Sequence, residues 1–480
     1  MDIVKITTNA EIFRNDIADE LRAFNHNTKE YKNEAEYYNF EVFVEENKTL
    51  NVSIKTDIFG SVVEDNYQYD LCEAIDKIQH KSYNKFAVKI STYRTLQKLY
   101  NNSLPYGSLT GIRPTKLYRK YDNLGENARE IFINKYLVSE EKTKLIEDIV
   151  TLQKPYLNTN ENEVDVFVNI PFCPTRCSYC SFVSTDITKQ RKYVPDYIKC
   201  LQNEISIIKN IVLENNYTVR AVYIGGGTPS SLEVDELESI VKLLDFNQRE
   251  FTVEVGRPDT ISKPLLDMLS HYNVSRISIN PQTFNQTTLD RIGRRHTVDE
   301  IYKAYNLARE YDFLINMDLI ALLPGETYED FLHSVNETIS LNPDNITVHT
   351  LSLKKGSKLN ETNYDNNEGD LASRMVDIAK KLVTDAGYKA YYMYRQKNMS
   401  GNLENTGYAK DNTSCIYNID IMEENTSILA CGAGAISKRL YQKEDRLERL
   451  ANMKNAKEYI ERFDDNIKKT IDFWQPGNNN

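Results

Sequence analysis

The sequence predicts an α/β fold: an incomplete (β/α)6 barrel with an α+β domain before it and a small domain after it. Three observations carry this. Between residues 164 and 353 six short segments rich in Val and Ile recur, with helical periodicity between neighbours. Strands that alternate with helices pair in parallel through right-handed crossovers, so they form one sheet. Residues before 150 follow a different pattern, and those after 367 mix a long helix with Gly- and Asn-rich loops. The expected domains are therefore 1–155, 164–366 and 367–480, the last covering the barrel mouth.

In chain order, YNFEVFV (38–44) alternates apolar and polar residues and LNVSI (50–54) repeats this after a polar turn, which predicts a β-hairpin. Helices are expected near 68–80 and 86–101, then a turn-rich stretch, LPYGSLTGIRPTKL (104–117), and further helix to about Gln153. Pro155 and the polar TNENE (159–163) mark a boundary. The barrel strands are VDVFVNI (164–170), VRAVYIG (219–225), FTVEVG (251–256), VSRISIN (274–280), FLINMDLIA (313–321) and ITVHTLSL (346–353). Helical patterns lie at 192–214, 233–245, 263–272, 298–311 and 327–341. In such barrels the chemistry gathers at the C-terminal ends of the strands, so the loops after each strand are where functional residues belong.

Composition narrows the function. The 480 residues carry 59 Lys+Arg against 70 Asp+Glu, a net charge of −11, which speaks against a surface built to bind nucleic-acid phosphate. The N-terminal MDIVKITTNAEIFRND has charges where a signal peptide needs its apolar stretch. No apolar run nears the ~20 residues of a membrane span. A soluble cytoplasmic protein, a monomer without nucleic-acid partner, is expected. Seven cysteines are few for a secreted disulfide scaffold, yet three of them fall within eight positions.

Those three lie directly after the first barrel strand, in NIPFCPTRCSYCSF, where Cys173, Cys177 and Cys180 form C-x-x-x-C-x-x-C. Chance or ordinary core packing explains such spacing poorly. A structural zinc site is closed by four ligands, and no fourth Cys or His lies within the usual few residues, so zinc would need a distant His. Three thiolates on a loop suit a 4Fe-4S cluster with one iron left without a protein ligand, open to a chelating molecule. The second strand ends in IGGGTPS (Gly225, Gly226, Gly227, Thr228, Pro229), where glycine permits close approach and free amides are expected to meet a polar ligand. Glu254 alternates with Val253 and Val255, and reads as a ligand-binding carboxylate or a buried ion-pair member. Gln282, then RIGRRH with Arg291, Arg294, Arg295 and His296, follow strand four, and Asp318 lies inside the apolar fifth strand, where an unpaired charge is costly.

The cysteine loop after the first strand resembles the radical S-adenosylmethionine (SAM) superfamily. That resemblance implies that SAM chelates the free iron, that one electron from the cluster breaks its sulfur to C5′ bond, and that a 5′-deoxyadenosyl radical abstracts hydrogen from the substrate. Taken together, NIPFCPTRCSYCSF, GGGTPSSL, VEVGRPDT, NPQTFNQTTLDRIGRRH and NMDLIALLPGE resemble the oxygen-independent coproporphyrinogen III oxidase group. LTGIRPTKL, YRQKNMSGNLENTGYAK and LACGAGAIS are similar to its coproporphyrinogen dehydrogenase branch. By matching position the resemblance places SAM contacts on Tyr179, Gly226, Gly227, Thr228, Glu254, Gln282, Arg294, Asp318 and Ile436, and one or two SAM molecules on the protein. The chain departs from better-known members at Phe167 and Asn169, which replace Tyr and His, and at Phe182, which replaces a fourth Cys.

The implied activity is oxidative decarboxylation of two propionates of coproporphyrinogen III to vinyl groups, in porphyrin and haem biosynthesis, with a reductant such as flavodoxin or ferredoxin. A propionate β-carbon has no acidity for a side-chain base to exploit, so a cofactor-made radical suits the task. A tetrapyrrole with four carboxylates needs local cations, and Arg257, Arg295, Arg395 and the Arg113–Lys116 pair are candidates, each equally readable as a structural or surface charge. Two alternatives stand beside this reading. One is a haem-binding chaperone with His296 or His349 as axial ligand; the other is a radical methyltransferase of tetrapyrroles. Cys72, Cys200, Cys415 and Cys431 are expected to be ordinary thiols.

Overall fold

The structure is a computed structural model and describes residues 3–24, 38–60, 62–71, 77–111, 113–157, 159–354, 356–362, 364, 368–396, 400–444 and 446–475. The chain divides into two compact units. One comprises Met1–Glu147, Asn366–Gly369 and Arg395–Glu404; the other comprises Asp148–Asp365, Asp370–Tyr394 and Asn405–Asn480.

The first unit holds a sheet of β1 (Val4–Thr8), β2 (Tyr38–Glu46), β3 (Leu50–Thr56) and β4 (Val63–Tyr69), in that order. β1 runs parallel to β2, and the rest are antiparallel. The expected hairpin is β2–β3. Along β3 buried residues alternate with less buried ones, so one face is apolar, and α1 (Arg14–Ala23) and α2 (Lys77–Tyr100) supply its core with Ile17, Leu21, Val88 and Leu96. Of the helix expected near 68–80, Tyr69 ends a strand instead and residues 72–76, with Cys72, lie outside the described residues. α3 (Pro114–Asn123) opens on Pro, whose missing N–H is no loss there. α4 (Glu140–Gln153) contains the division at Glu147.

In the second unit β5 (Glu163–Ile170), β6 (Thr218–Gly226), β7 (Glu250–Val253), β8 (Arg276–Ser278), β9 (Leu314–Ala321) and β10 (Asn345–Thr350) pair in parallel in that order. Between them run α5 (Val194–Glu214), α6 (Val234–Val241), α7 (Lys263–His271), α8 (Val298–Ala308) and α9 (Tyr328–Leu341). Capping boxes at Thr297/Glu300 and Thr327/Asp330 start the last two. This is the incomplete (β/α)6 barrel.

Residues from 367 onward do not form a domain of their own. After α10 (Gly369–Asp385), β11 (Lys389–Tyr394) and β12 (Asn405–Ala409) extend the sheet antiparallel beyond β10. β13 (Ser427–Cys431) pairs in parallel with β5, and β14 (Ile436–Tyr441) and β15 (Arg446–Ala451) follow it, making an 11-stranded sheet. The physical reason is burial: every residue of Ser427–Cys431 is buried, as befits a strand inside a sheet rather than one in a separate lid.

Two arginines buried in this unit are paired with carboxylates. Arg220 meets Asp420 at 3.1 Å and Arg276 meets Glu250 at 3.4 Å. Above Asp165, Phe167 and Tyr223 lie side by side in register, and both pack against Tyr417, the Tyr223–Tyr417 centroids 4.4 Å apart. Among the described residues, no helix is long and apolar enough to cross a membrane.

Candidate functional site

The cysteine loop is built onto the ends of β5 and β6. Past Gly226 the backbone turns back: Gly227 N–H donates to Ile170 O at 2.8 Å and Thr228 N–H to Phe172 O at 2.7 Å. Thr228 Oγ1 lies 3.6 Å from Cys173 Sγ. These amides are therefore engaged within the fold, and the expectation that they are free for a ligand is corrected. Glycine is required for packing: Gly226 has φ +108°, and a Cβ there would strike the Asn169 amide, while one at Gly227 would strike the carbonyls of Ile170 and Phe172. On its other side the loop is pinned to the segment after β8 by Thr175 Oγ1 to Gly293 O (3.0 Å) and Ser178 N–H to Ile292 O (2.9 Å).

Burial pushes the Cys173 thiol above its ordinary value, and it pushes Cys180 up to about 11, with the neighbouring thiols adding to both. Such thiols ionise when a metal centre supplies positive charge. Among the described residues no set of three or more His, Cys, Asp and Glu side chains forms a site for a single metal ion. A cluster spreads its ligands more widely than one ion does, and three thiols of one loop, Cys177 buried and Cys173 and Cys180 half-buried, tethered to two strand ends, fit it.

Arg294 is buried beside Cys177 and Tyr179, and donates to the carbonyls of Asn280, Pro281 (3.2 Å) and Gly256 (3.3 Å). It is a positioning strut as well as a local positive charge. Gln282 has left-handed backbone, φ +68°, which costs a non-glycine residue roughly 1 kcal/mol. Its N–H donates to Asp318 O at 2.9 Å, and its buried side-chain Oε1 has no hydrogen-bond partner. Glu254 sits just past β7; as alternation predicts, Val253 and Val255 are fully buried, and the Glu254 carboxylate accepts from Tyr223 OH at 2.5 Å. Asp318 accepts from Asn316 Nδ2 at 2.7 Å and lies 3.6 Å from His349 Nε2. Ile436, 46% exposed, opens β14. The Gly432–Gly434 turn before it is tied to the end of β5 by Asn169 Nδ2 to Ala433 O at 2.5 Å, so Asn169 has a structural duty. Phe182 is exposed.

Sequence reading missed Tyr223 as the partner of Glu254; its place two residues before Gly225, on the same face of β6, was the available signal. Several candidate cations are committed elsewhere. Arg257 donates two hydrogen bonds to the Asp259 carboxylate, 3.0 Å each, and one to Thr175 Oγ1 at 2.9 Å. Arg395 belongs to the first unit, where it donates to Leu109 O and to Asn402 O (2.8 Å) and covers the Tyr106 ring. Arg113 and Lys116 are also in the first unit and have partners there or elsewhere in the chain. Arg295 keeps an exposed head beside Asp186. His296 is wholly buried, 3.7 Å from Asp259, so it is no axial ligand for a haem; burial and the adjacent Arg294 and Arg257 push its imidazole below its ordinary value. Cys415 and Cys431 are buried, as expected of ordinary thiols, and Cys200 is partly buried.

A parallel β/α barrel carrying a three-thiol loop after its first strand defines the class of radical SAM proteins, whose superfamily profile matches residues 168–337. The chain belongs to this superfamily and, within it, to the family of the oxygen-independent coproporphyrinogen-III oxidase-like protein HemZ of Bacillus subtilis (strain 168). It is 41% identical to that protein over 374 residues, covering 75% of each chain. It is also 33% identical over 195 residues to the heme chaperone HemW of the same organism, covering 39% of this chain and 50% of that one. The structure of the coproporphyrinogen III oxidase HemN of Escherichia coli superposes with a TM-score of 0.52 at 23% identity, over 66% of this chain and 72% of that one. Members of the superfamily use a 4Fe-4S cluster and SAM.

Proposed function

We propose that this protein is an oxygen-independent coproporphyrinogen III oxidase: it decarboxylates two propionate side chains of coproporphyrinogen III to vinyl groups, giving protoporphyrinogen IX. The observation that carries the reading is the joining of the cysteine loop to the glycine turn, Thr228 beside Cys173, with Glu254 just past β7 and Asp318 within β9. The similarity to the HemZ protein supports the substrate class.

In this reading Cys173, Cys177 and Cys180 hold the cluster, and Tyr179, Gly226, Gly227, Thr228, Glu254, Gln282, Arg294, Asp318 and Ile436 line the SAM site. When bound, cluster and SAM supply a carbon radical that takes a hydrogen atom from a propionate β-carbon. Each propionate then loses carbon dioxide and one electron, and the electron leaves to an external acceptor. The chain's own residues orient and exclude water: Arg294 braces the loop from below, Glu254 and Asp318 receive polar groups of the nucleoside, and Arg295 is the exposed cation available to a substrate carboxylate. A small reductant such as flavodoxin or ferredoxin supplies the cluster electron, and the protein is cytoplasmic. The experiment is anaerobic incubation of cluster-loaded protein with SAM and dithionite. Formation of 5′-deoxyadenosine that rises severalfold on adding coproporphyrinogen III is expected; formation indifferent to it would contradict the proposal.

A second reading, a haem chaperone, draws on the HemW similarity and on Phe182, which stands where a fourth Cys is found in better-known oxidases. Under that reading His349, a quarter exposed, is the histidine left for a haem iron once His296 is set aside.

A further inference from the structure

Asp318 in β9 and Glu254 just past β7 lie one strand apart in the sheet and feel one another's charge, yet their surroundings differ. One oxygen of Asp318 accepts from Asn316 Nδ2 (2.7 Å), whose own oxygen accepts from Thr347 Oγ1 (3.1 Å); the other lies 3.6 Å from His349 Nε2. Thr347 and His349 are successive residues on the same face of β10, in register with Asp318 and Ile320 of β9, so the group is held by strands rather than loops. Glu254 instead has the Tyr223 hydroxyl, with the Tyr417 ring close by. Burial pushes the Glu254 carboxyl up to about 7, with the Asp318 charge adding to this and His349 opposing it. At Asp318 burial acts in the same direction, but His349, Asn316 and Thr347 outweigh it and hold the carboxylate below its ordinary value. Two carboxyls whose environments separate them in this way divide into an acid and an anion.

We infer that His349 is a positioning residue of this site: standing beside Asp318 on the adjacent strand, it holds that carboxylate in place at the barrel mouth. Asp318 and Glu254 then meet the hydroxyl and ammonium groups of SAM. This rests on the reading of the site as one that holds SAM. The titratable groups facing the pair are Tyr223 from β6, Tyr392 from β11, Tyr417, and His349 itself.

The test is SAM binding to cluster-loaded protein, by anaerobic equilibrium dialysis from about pH 5.5 to 9. His349→Phe and Asp318→Asn are each expected to weaken binding near neutrality by about tenfold or more, the size of a lost interaction with a charged group. The double variant is expected to bind no worse than Asp318→Asn alone, because His349 acts through Asp318. In His349→Phe the inflection belonging to Glu254 moves to higher pH, since the group opposing the Asp318 charge is gone; His349→Gln, which can still donate, recovers part of the affinity but not the inflection. Affinity lost equally at every pH, with the inflection unmoved, would mark a merely structural residue and overturn the inference. Unchanged binding by His349→Phe, or effects that add in the double variant, would overturn it too. If the wild-type protein binds no SAM, the site reading itself fails.

Discussion

Thr228 places its hydroxyl 3.6 Å from the sulfur of Cys173 and its backbone N–H 2.7 Å from the carbonyl of Phe172. The turn that ends the second barrel strand is thereby stapled to the loop that follows the first. A glycine run of the kind usually assigned to ligand contact spends its amides on shaping the cysteine loop, and its lack of side chains lets the two segments meet.

Gly227→Ala tests this directly. Its Cβ would collide with the backbone carbonyls of Ile170 and Phe172, which are strand-end atoms with little room to yield. Reconstituted iron content is expected to fall at least severalfold while far-ultraviolet circular dichroism is retained. Full iron loading of a folded Gly227→Ala protein would contradict the stapling.

Replacing any one of Cys173, Cys177 or Cys180 by Ala is expected to abolish the broad visible absorbance of an iron–sulfur cluster, because three thiols of one loop leave no spare ligand. Alanine at Cys415 or Cys431, both buried away from that loop in sequence, is expected to leave it intact. Cluster absorbance retained in any of the first three variants refutes the ligand assignment.

Much of the barrel was legible because its signals are local. Short runs rich in Val and Ile, such as VRAVYIG, and the helical stripes between them placed β5 to β10 and α5 to α9 close to their observed bounds. The failures were of other kinds. Gln68 and Tyr69, expected to open a helix, instead end β4, where Val63, Asp65, Tyr67 and Tyr69 alternate with exposed Glu64, Asn66 and Gln68, a period-two pattern diluted by polar residues. That β13 would join β5 across more than half the chain is a long-range pairing with no local signature. In the candidate site, residue types and order singled out the cysteines, Glu254 and Asp318 as candidates. The alternation of β7 even gave the face of Glu254. What it could not give was which groups the fold already uses: Arg257 and Arg395 read as free cations and turned out to be paired or buried.

Arg257 also supports the loop. It joins Asp259 to Thr175, which lies between the first two cysteines. Asp259→Ala leaves a buried guanidinium without its carboxylate and is expected to destabilise the fold by about 3 kcal/mol. Burial works against the Asp259 charge, but His296 and Arg257 outweigh it and hold this carboxyl well below its ordinary value. An acid so depressed contributes stability that is present above about pH 4 and is lost as pH falls further. The fall in stability with decreasing pH, read from urea midpoints, is expected to be shallower in Asp259→Asn than in the wild type, and equal pH slopes would refute the role.

Glu20 in the first unit has the opposite sign. It is fully buried 3.4 Å from Lys89, and burial pushes its carboxyl up to about 8 with the lysine offsetting only part. A raised acid contributes its stability below the unfolded value near 4 and loses it as pH climbs through about 8. Glu20→Gln is therefore expected to match or fall slightly below wild type near pH 5 and to exceed it by on the order of 2 kcal/mol near pH 9, read from denaturant midpoints. A difference independent of pH would show that Glu20 remains ionised in the fold.

The central claim is the reaction itself, and product analysis tests it most directly. Cluster-loaded protein is incubated without oxygen with coproporphyrinogen III, SAM, a reductant and an electron acceptor, and the tetrapyrroles are oxidised and separated by mass. The account predicts a product lacking two carboxyl groups and carrying two vinyl groups, with two molecules of carbon dioxide released per tetrapyrrole. Unaltered coproporphyrin together with stoichiometric haem binding would contradict it.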